Sequence, residues 1–328
     1  VQTCALPISA SLSAQAADFK DRNLKLSLVV DRGNAQYDGV ERFAELLRTR
    51  SEGRMKLKIF GGGTLGGDLP VLSSLQGGTI DFTLLNASLL QGNVKEMAIF
   101  DMPFLFESER EADAVVDGPI GRKLLDLLPA RGLVGLAYWE LGFRNITNSK
   151  RPINRVEDIA GLKLRVIPNT INVDWVKALD ANPTPLPFPE LYAALDQKSF
   201  DGQENPNSVI LANKFYEVQK HLVQTNHQYN PQSLIMSKKV WDSLGADDRK
   251  VISEAAVEAS RFQRQVSRTD AGTALESLKK NGMQVTDLTS AELAKFRSKM
   301  GPVIAKHGEV VGADVVKDIQ AELAKIRK

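Results

Sequence analysis

Thiol and imidazole chemistry have little to work with in this chain: its 328 residues include a single cysteine, Cys4, and three histidines. One cysteine cannot close a disulfide within the chain, and downstream of position 4 no thiol nucleophile exists. His221, His227 and His307 lack the spacing of a metal site, and neither H-E-x-x-H nor a Cys/His set is present, so no metal or other cofactor is expected. There is no G-x-S-x-G elbow, which removes the commonest serine-hydrolase arrangement. An excess of one charge is missing as well: 42 basic residues face 40 acidic ones. Without a Lys/Arg stripe interleaved with aromatics to follow a phosphate backbone, nucleic acid is excluded as a partner. No run of 18 apolar residues occurs, so no segment reads as a membrane-spanning helix.

What is present is an average globular composition, 43% hydrophobic and 25% charged. The length exceeds one ordinary core and suits two lobes of about 150 residues. At the N-terminus, "ALPISASLSAQAADF" runs from a short apolar stretch to Ala14-Gln15-Ala16, an A-x-A pattern for signal peptidase. Cleavage near Ala16 and a mature chain from Ala17 are expected. Upstream, "VQTCALPIS" has neither a starting Met nor a basic region and resembles a translated sequencing-adaptor fragment. Residues 1–16 are therefore set aside as leader or artefact, and Cys4 is given no role.

From Leu24 to about Leu90 the pattern alternates: "LKLSLVV", "YDGVERFAELLRTR", "MKLKIF", a helix near Leu69 to Gln76, then "TIDFTLL". This βαβαβ order predicts a parallel sheet whose strand ends point into a cleft. Gly61 to Gly63, Gly66 and Gly67 follow "MKLKIF", but no Gly-Lys-Ser/Thr comes after them, so they read as a close-approach turn rather than a phosphate loop. A second α/β unit begins after "GFRNITNSKRPI": a turn capped by Asn154 with Glu157, the strand "LKLRVI", the helix "NTINVDWVKALD", the rigid "NPTPLPFPE", the helix "ELYAALDQ" and the strand "SFDG". After "TNHQYNP" the chain turns helical. Between Asp247 and Lys280, Ile252, Ala255, Ala259, Phe262 and Val266 recur at spacings of 3 and 4 and predict one buried stripe. Such a helix is roughly 50 Å long at 1.5 Å per residue, enough to brace both lobes. "MQVTDL" reads as a last strand, and Thr289 with Glu292 caps a terminal helix.

The chemistry concentrates in the second unit. In "LKLRVIPN" the alternation places Arg165 near the C-terminal end of a strand, at the cleft mouth, where it can hold a carboxylate bidentately or form an interlobe salt bridge. Asn205, just before Pro206, reads as a helix N-cap whose terminus also attracts an anion. Asn169 or Thr170 invite the same reading. Asp201 and Glu204 read as partners for loop backbone rather than as an acid/base pair. Trp139, Phe143, Trp175, Tyr192 and Trp241 suit core packing, whereas Phe188, between Pro187 and Pro189, is held stiffly enough to cover an apolar ligand face.

The motifs "GFRNITNSKRPI", "DIAGLKLRV", "NPTPLPFPELYAAL", "FDGQENP", "NKFYEVQKHL" and "NHQY", with "LGGDLPVLSSLQGGTIDF" and "MPFLFES" upstream, occur in an order that resembles the periplasmic substrate-binding proteins of tripartite ATP-independent periplasmic (TRAP) transporters. The resemblance runs from about Leu24 to the C-terminus. It implies an α/β, two-lobed periplasmic binding-protein fold, with a long helix bracing both lobes and a ligand cleft between them. Residues 18–143 and 231–270 would form one lobe, and 144–230 and 271–328 the other. It also implies that the chain is not an enzyme but a monomeric periplasmic protein delivering an organic acid to TRAP membrane subunits, or to a sensor receptor. By that resemblance Arg165 binds the ligand carboxylate, joined by Arg144, Phe188 and Asn205, and the first lobe contributes Asp68, Asn86, Asp31 and Arg32; Asn169 is a further candidate from its place before a helix. The sialic-acid branch places an acidic residue and then an arginine where Asn86 and Leu89 stand here, which disfavours sialic acid. A sugar acid such as the hexuronates glucuronate or galacturonate is the leading ligand, ahead of C4-dicarboxylates and aromatic or branched 2-oxo acids.

Overall fold

The computed structural model describes residues 19–327, so the leader or artefact assigned to residues 1–16, with Cys4, lies outside the described residues. The first unit is as the alternation requires. Strands β1 (Arg22–Ser27), β2 (Met55–Phe60) and β3 (Phe82–Asn86) alternate with helices α1 (Ala35–Arg50) and α2 (Asp68–Gly77), and β1 pairs in parallel with both neighbours. Leu24, Leu26, Phe43 and Phe82 lose nearly all contact with water in the core between sheet and helices. Two 3-10 turns (Ala87–Gly92 and Lys95–Asp101) and the helices α3 (Glu109–Val116) and α4 (Pro119–Leu125) follow.

The chain then crosses the molecule. Strand β4 (Leu133–Asn148) has 16 residues and β8 (His221–Ser237) has 17. At about 3.4 Å per residue each spans roughly 55 Å, more than one lobe needs. Between them lie β5 (Lys163–Val166), α5 (Thr170–Lys177), β6 (Asn182–Pro185), α6 (Leu191–Asp196), β7 (Gly202–Asn205) and α7 (Asn207–Ala212). After β8 come α8 (Lys238–Asp242), α9 (Ala246–Lys280), β9 (Gln284–Asp287), α10 (Ser290–Val311) and α11 (Ala313–Ile326).

One sheet runs β2-β1-β3-β8-β4-β7-β5-β6, with β9 also on β8. The pairing divides it in two. β3 occupies residues 232–236 of β8 and β9 occupies 221–224 of the same strand, while β7 pairs only with residues 145–148 of β4. Each half-sheet thus belongs to one lobe, and the antiparallel pair β4/β8 belongs to both. Their register shifts at Gly135/Ala137, Glu140/Gly142 and Arg144/Ile146, and Gly142 sits at φ +110°, a conformation that L side chains rarely adopt. The bend between lobes is built there.

Helix α9, 35 residues long, packs on α1 in the first lobe and α7 in the second, with β4 beneath it. Its stripe departs from expectation halfway along. Ile252, Ala255 and Ala259 are buried, but Phe262 is 39% exposed and Val266 half-buried; Gln263, Arg264 and Ser267 face inward instead. The reason is the bulge in β4. Gln263 accepts from the Glu140 N–H at 2.8 Å and donates to its carbonyl at 2.7 Å, and Arg264 donates to Tyr138 O at 2.9 Å. Broken strand pairing leaves polar backbone that an apolar stripe would strand.

Three local expectations shift. Asp158, not Asn154, closes the turn Val156–Ile159, accepting from the backbone N–H of Asn154 and Arg155 at 3.0 and 3.1 Å. The strand expected over "SFDG" begins at Gly202, so Asn205 ends a strand and Pro206 is the N-cap of α7. Finally, Ile319 and Leu323 of α11 pack with Ala112, Val115 and Leu124, so the end of the 271–328 segment lies against first-lobe helices.

Candidate functional site

A cavity of about 420 Å³ lies between the half-sheets, where the C-terminal ends of β3, β5 and β7 converge with the middle of β4 and β8. Much of its wall is apolar, including Leu89, Leu141, Ile167 and Phe188. The polar groups are few and specific.

Arg165, next to last in β5, is 2% exposed. Its Nε donates to Leu186 O at 2.8 Å, the one hydrogen bond of its side chain among the described residues, and both terminal nitrogens remain available. Burial pulls its pKa down to about 10, with Arg144 adding repulsion and Glu204 and Asp68 opposing the fall. The salt-bridge alternative is not realised: no carboxylate pairs with Arg165 among the described residues. A desolvated guanidinium with free donors is a site for an anion.

Arg144 is different. Its Nε and Nη2 grip the Glu204 carboxylate, with Nη2 at 2.9 Å from Oε1, and Nη2 also reaches Glu204 O at 2.5 Å. Both side chains are closed off from water. Burial alone would raise the Glu204 pKa, but the Arg144 charge, with His227 Nε2 at 3.5 Å, outweighs it and holds the carboxyl at about 2. Glu204 is therefore a buried ion-pair partner rather than the loop-backbone partner expected, because it lies on β7 opposite β4. Asp201 does bond backbone, but that of a strand: it accepts from the Lys163 N–H that opens β5, at 2.9 Å. Only Nη1 of Arg144 lacks a partner.

Across the cavity stand three acceptors. Asp68 Oδ1, Asn86 Oδ1 and Gln232 Oε1 are shielded from water and have no hydrogen-bond partner among the described residues. Asp68 opens α2, and burial, only partly offset by Arg165, pushes its carboxyl up to about 7. Asn86 ends β3 and lies opposite Gln232 in the β3/β8 register, which sets the two amides side by side. Gln232 is the functional candidate that sequence reasoning missed. Its signal was pairing register, which needs β8 to be recognised as a strand.

Six of the nine residues singled out line this cavity: Arg165, Arg144, Asn205, Phe188, Asn86 and Asp68. Asn205 donates its amide to Gln203 Oε1. Phe188 opens the 3-10 turn Phe188–Glu190 and stands 6.0 Å from the Phe215 ring. The other three lie elsewhere. Asn169 caps α5, accepting from Asn172 N–H at 2.9 Å, and its amide donates to buried Asp101. Asp31 accepts from Arg32 N–H at 2.9 Å, and Arg32 pairs with Glu41 at 2.7 Å and covers the Tyr37 ring on the surface. No cluster of metal-ligating side chains occurs among the described residues.

Comparison with known proteins agrees with this architecture. Residues 26–309 match the model of the family described as bacterial extracellular solute-binding protein, family 7. The 2,3-diketo-L-gulonate-binding periplasmic protein of Escherichia coli is 34% identical over 299 residues, covering 91% of this chain and 90% of its own. The sugar acid binding protein of Advenella mimigardefordensis, solved in complex with galactonate, is 41% identical with a TM-score of 0.92, over 94% of this chain and 99% of that one. A TRAP periplasmic solute binding protein from a Polaromonas species, bound to D-erythronate, is 40% identical with a TM-score of 0.88, over 92% and 99%.

Proposed function

The chain belongs to the bacterial extracellular solute-binding proteins of family 7, and from that premise we propose that it captures a sugar acid in the periplasm and delivers it to TRAP membrane subunits. The observation that carries this reading is the division of the cavity: free guanidinium donors of Arg165 on one side and three unpartnered acceptors, Asp68, Asn86 and Gln232, on the other. A sugar acid offers one carboxylate for Arg165 and several hydroxyl donors for the acceptors. A C4-dicarboxylate would bring fewer or no hydroxyls for these acceptors and a second charge beside Asp68, whose carboxyl titrates near 7, and a 2-oxo acid brings no hydroxyl donor. The apolar wall with Phe188 suits the C–H face of a hexuronate such as glucuronate or galacturonate, or of an extended aldonate chain. Relatives that hold galactonate, D-erythronate and 2,3-diketo-L-gulonate support the same class.

The mechanism is capture without conversion. Arg165 fixes the carboxylate in an open cleft, the lobes turn about β4 and β8, and closure strips water from the anion and its partners. The closed, loaded form is what the membrane subunits take up. A thermal-shift panel of hexuronates, aldonates, C4-dicarboxylates and aromatic acids tests the ligand class, since a ligand that binds only the folded chain raises its melting temperature. Stabilisation by sugar acids supports the reading. Stabilisation by dicarboxylates alone would refute it.

A further inference from the structure

The cavity is roofed where two rims meet, and the rims have unusual composition. One is the glycine turn after β2. Its backbone is pinned to the end of β1, with Gly62 N–H donating to Val30 O at 2.9 Å and Gly63 N–H to Leu28 O at 3.1 Å. The other is the prolyl rib after β6, "PLPFP", held by Leu186 N–H to Val166 O at 3.2 Å. The rims are in contact: a methyl group at Gly63 would overlap Pro189, and one at Gly67 would lie 3.2 Å from Pro187 Cβ. β2 and β6 are the two ends of the sheet path, so their loops meet only when the half-sheets incline toward each other. Between the prolines, Phe188 packs against both the first-lobe core and the second-lobe core.

We propose that Gly63 and Gly67 against Pro187 and Pro189 form the closure seam of the cleft, and that Arg165 couples the bound carboxylate to it through Leu186. Glycine presents no side chain and proline no N–H, so the rims approach closely at the cavity mouth with neither a bulky group nor a prolyl donor at the contact. A seam free of hydrogen bonds also reopens at little cost. The coupling runs through one bond: Arg165 Nε holds Leu186 O at 2.8 Å, next to Pro187, so the arginine that takes the ligand also sets the rib. Affinity therefore depends on side-chain volume at rim positions that also border the cavity, and recovery in a double variant is what separates closure from direct obstruction. This inference goes beyond the ligand class and requires only that the cavity be a ligand cleft.

The test has a ligand-independent arm. In the full chain with Cys4→Ser, Gly67→Cys with Pro187→Cys brings two β-carbons to about the separation a disulfide needs. Mild oxidation should cross-link the pair within the chain without ligand; thiols that stay free would overturn the seam. The binding arm uses D-galactonate as probe. Gly67 is the N-cap of α2 at φ −74°, ψ 174°, where threonine is a good cap, so Gly67→Thr should keep the melting temperature of the ligand-free protein. Its galactonate affinity should fall about tenfold or more, as closure-competent molecules become rare. Adding Pro187→Gly should restore affinity by removing the group the threonine meets. Unchanged affinity in Gly67→Thr, or no recovery in the double variant, contradicts the proposal. If galactonate fails to bind even the parent, the sugar-acid reading is what fails, and the cross-link alone decides the seam.

Discussion

Replacing Arg165 and Arg144 in turn by alanine should separate binding from stability. Arg165 is desolvated, makes one hydrogen bond to a backbone carbonyl and has no carboxylate partner among the described residues. Its removal should change ligand-free stability by no more than about 1 kcal/mol, since the lost bond is offset by the relief of an unpaired buried cation. Ligand affinity is another matter. Losing a buried charge-assisted pair costs roughly 2–5 kcal/mol, a rise in Kd of roughly 30- to 4,000-fold. Arg144→Ala reverses the pattern, because it leaves the buried Glu204 carboxylate without its bidentate partner, with His227 at 3.5 Å and the more distant Arg165 charge. Removing one partner of a buried pair costs about 3–5 kcal/mol of folding stability. Urea unfolding of the ligand-free variants, set beside calorimetric titration with D-galactonate, reads both quantities. If Arg165→Ala bound the acid normally, or unfolded as readily as Arg144→Ala, the assignment of roles to the two arginines would be wrong.

Other outcomes follow from the same geometry. Asp68 holds its proton to about pH 7 in the folded chain, against 3.8 ordinarily, so ligand-free stability should decline as pH rises from about 4 to 7; Asp68→Asn should abolish that decline in melting temperature. Glu204, held at about 2 against 4.5, contributes stability that is present above pH 4.5 and lost as pH falls toward 2, and Glu204→Gln should flatten this acid limb in a pH series of melts. Gln232→Leu should leave folding intact and lower sugar-acid affinity by about 1–3 kcal/mol, measured by titration, because one ligand hydroxyl loses its acceptor. Arg32→Ala should leave affinity unchanged, since its side chain is engaged with Glu41 and Tyr37 away from the cavity.

The first lobe was legible because its first two strands are apolar at alternate positions and each feeds a helix; Leu24, Leu26 and Phe43 carry that pattern and are buried. β4 and β8 were not read as strands. Both carry buried polar residues, Asn145 and Thr147 in β4 and Gln228, Asn230 and Gln232 in β8, several of which bond groups outside the pair, such as Asp101 and Gln219, so apolar alternation is broken. Position at a strand end was enough to single out Arg165. Asn205 carried the signal of a cap, but Pro206, at φ −62° and ψ 149°, is still extended, and the helix starts one residue later. The Arg144–Glu204 pair joins residues 60 positions apart, so no local pattern announces it. Asp31, Arg32 and Asn169 sit beside strand and helix ends like true site residues, and only tertiary packing shows that their side chains are used by nearby protein groups.

The central claim is that Arg165 anchors the carboxylate of a sugar acid whose hydroxyls meet Asp68, Asn86 and Gln232. A crystal structure of the chain with D-galactonate or D-galacturonate tests it most directly. One carboxylate should sit on the terminal nitrogens of Arg165, with hydroxyls within hydrogen-bond distance of the three acceptors and closed glycine and proline rims above. A carboxylate seated elsewhere, with Arg165 left unpaired, would contradict it.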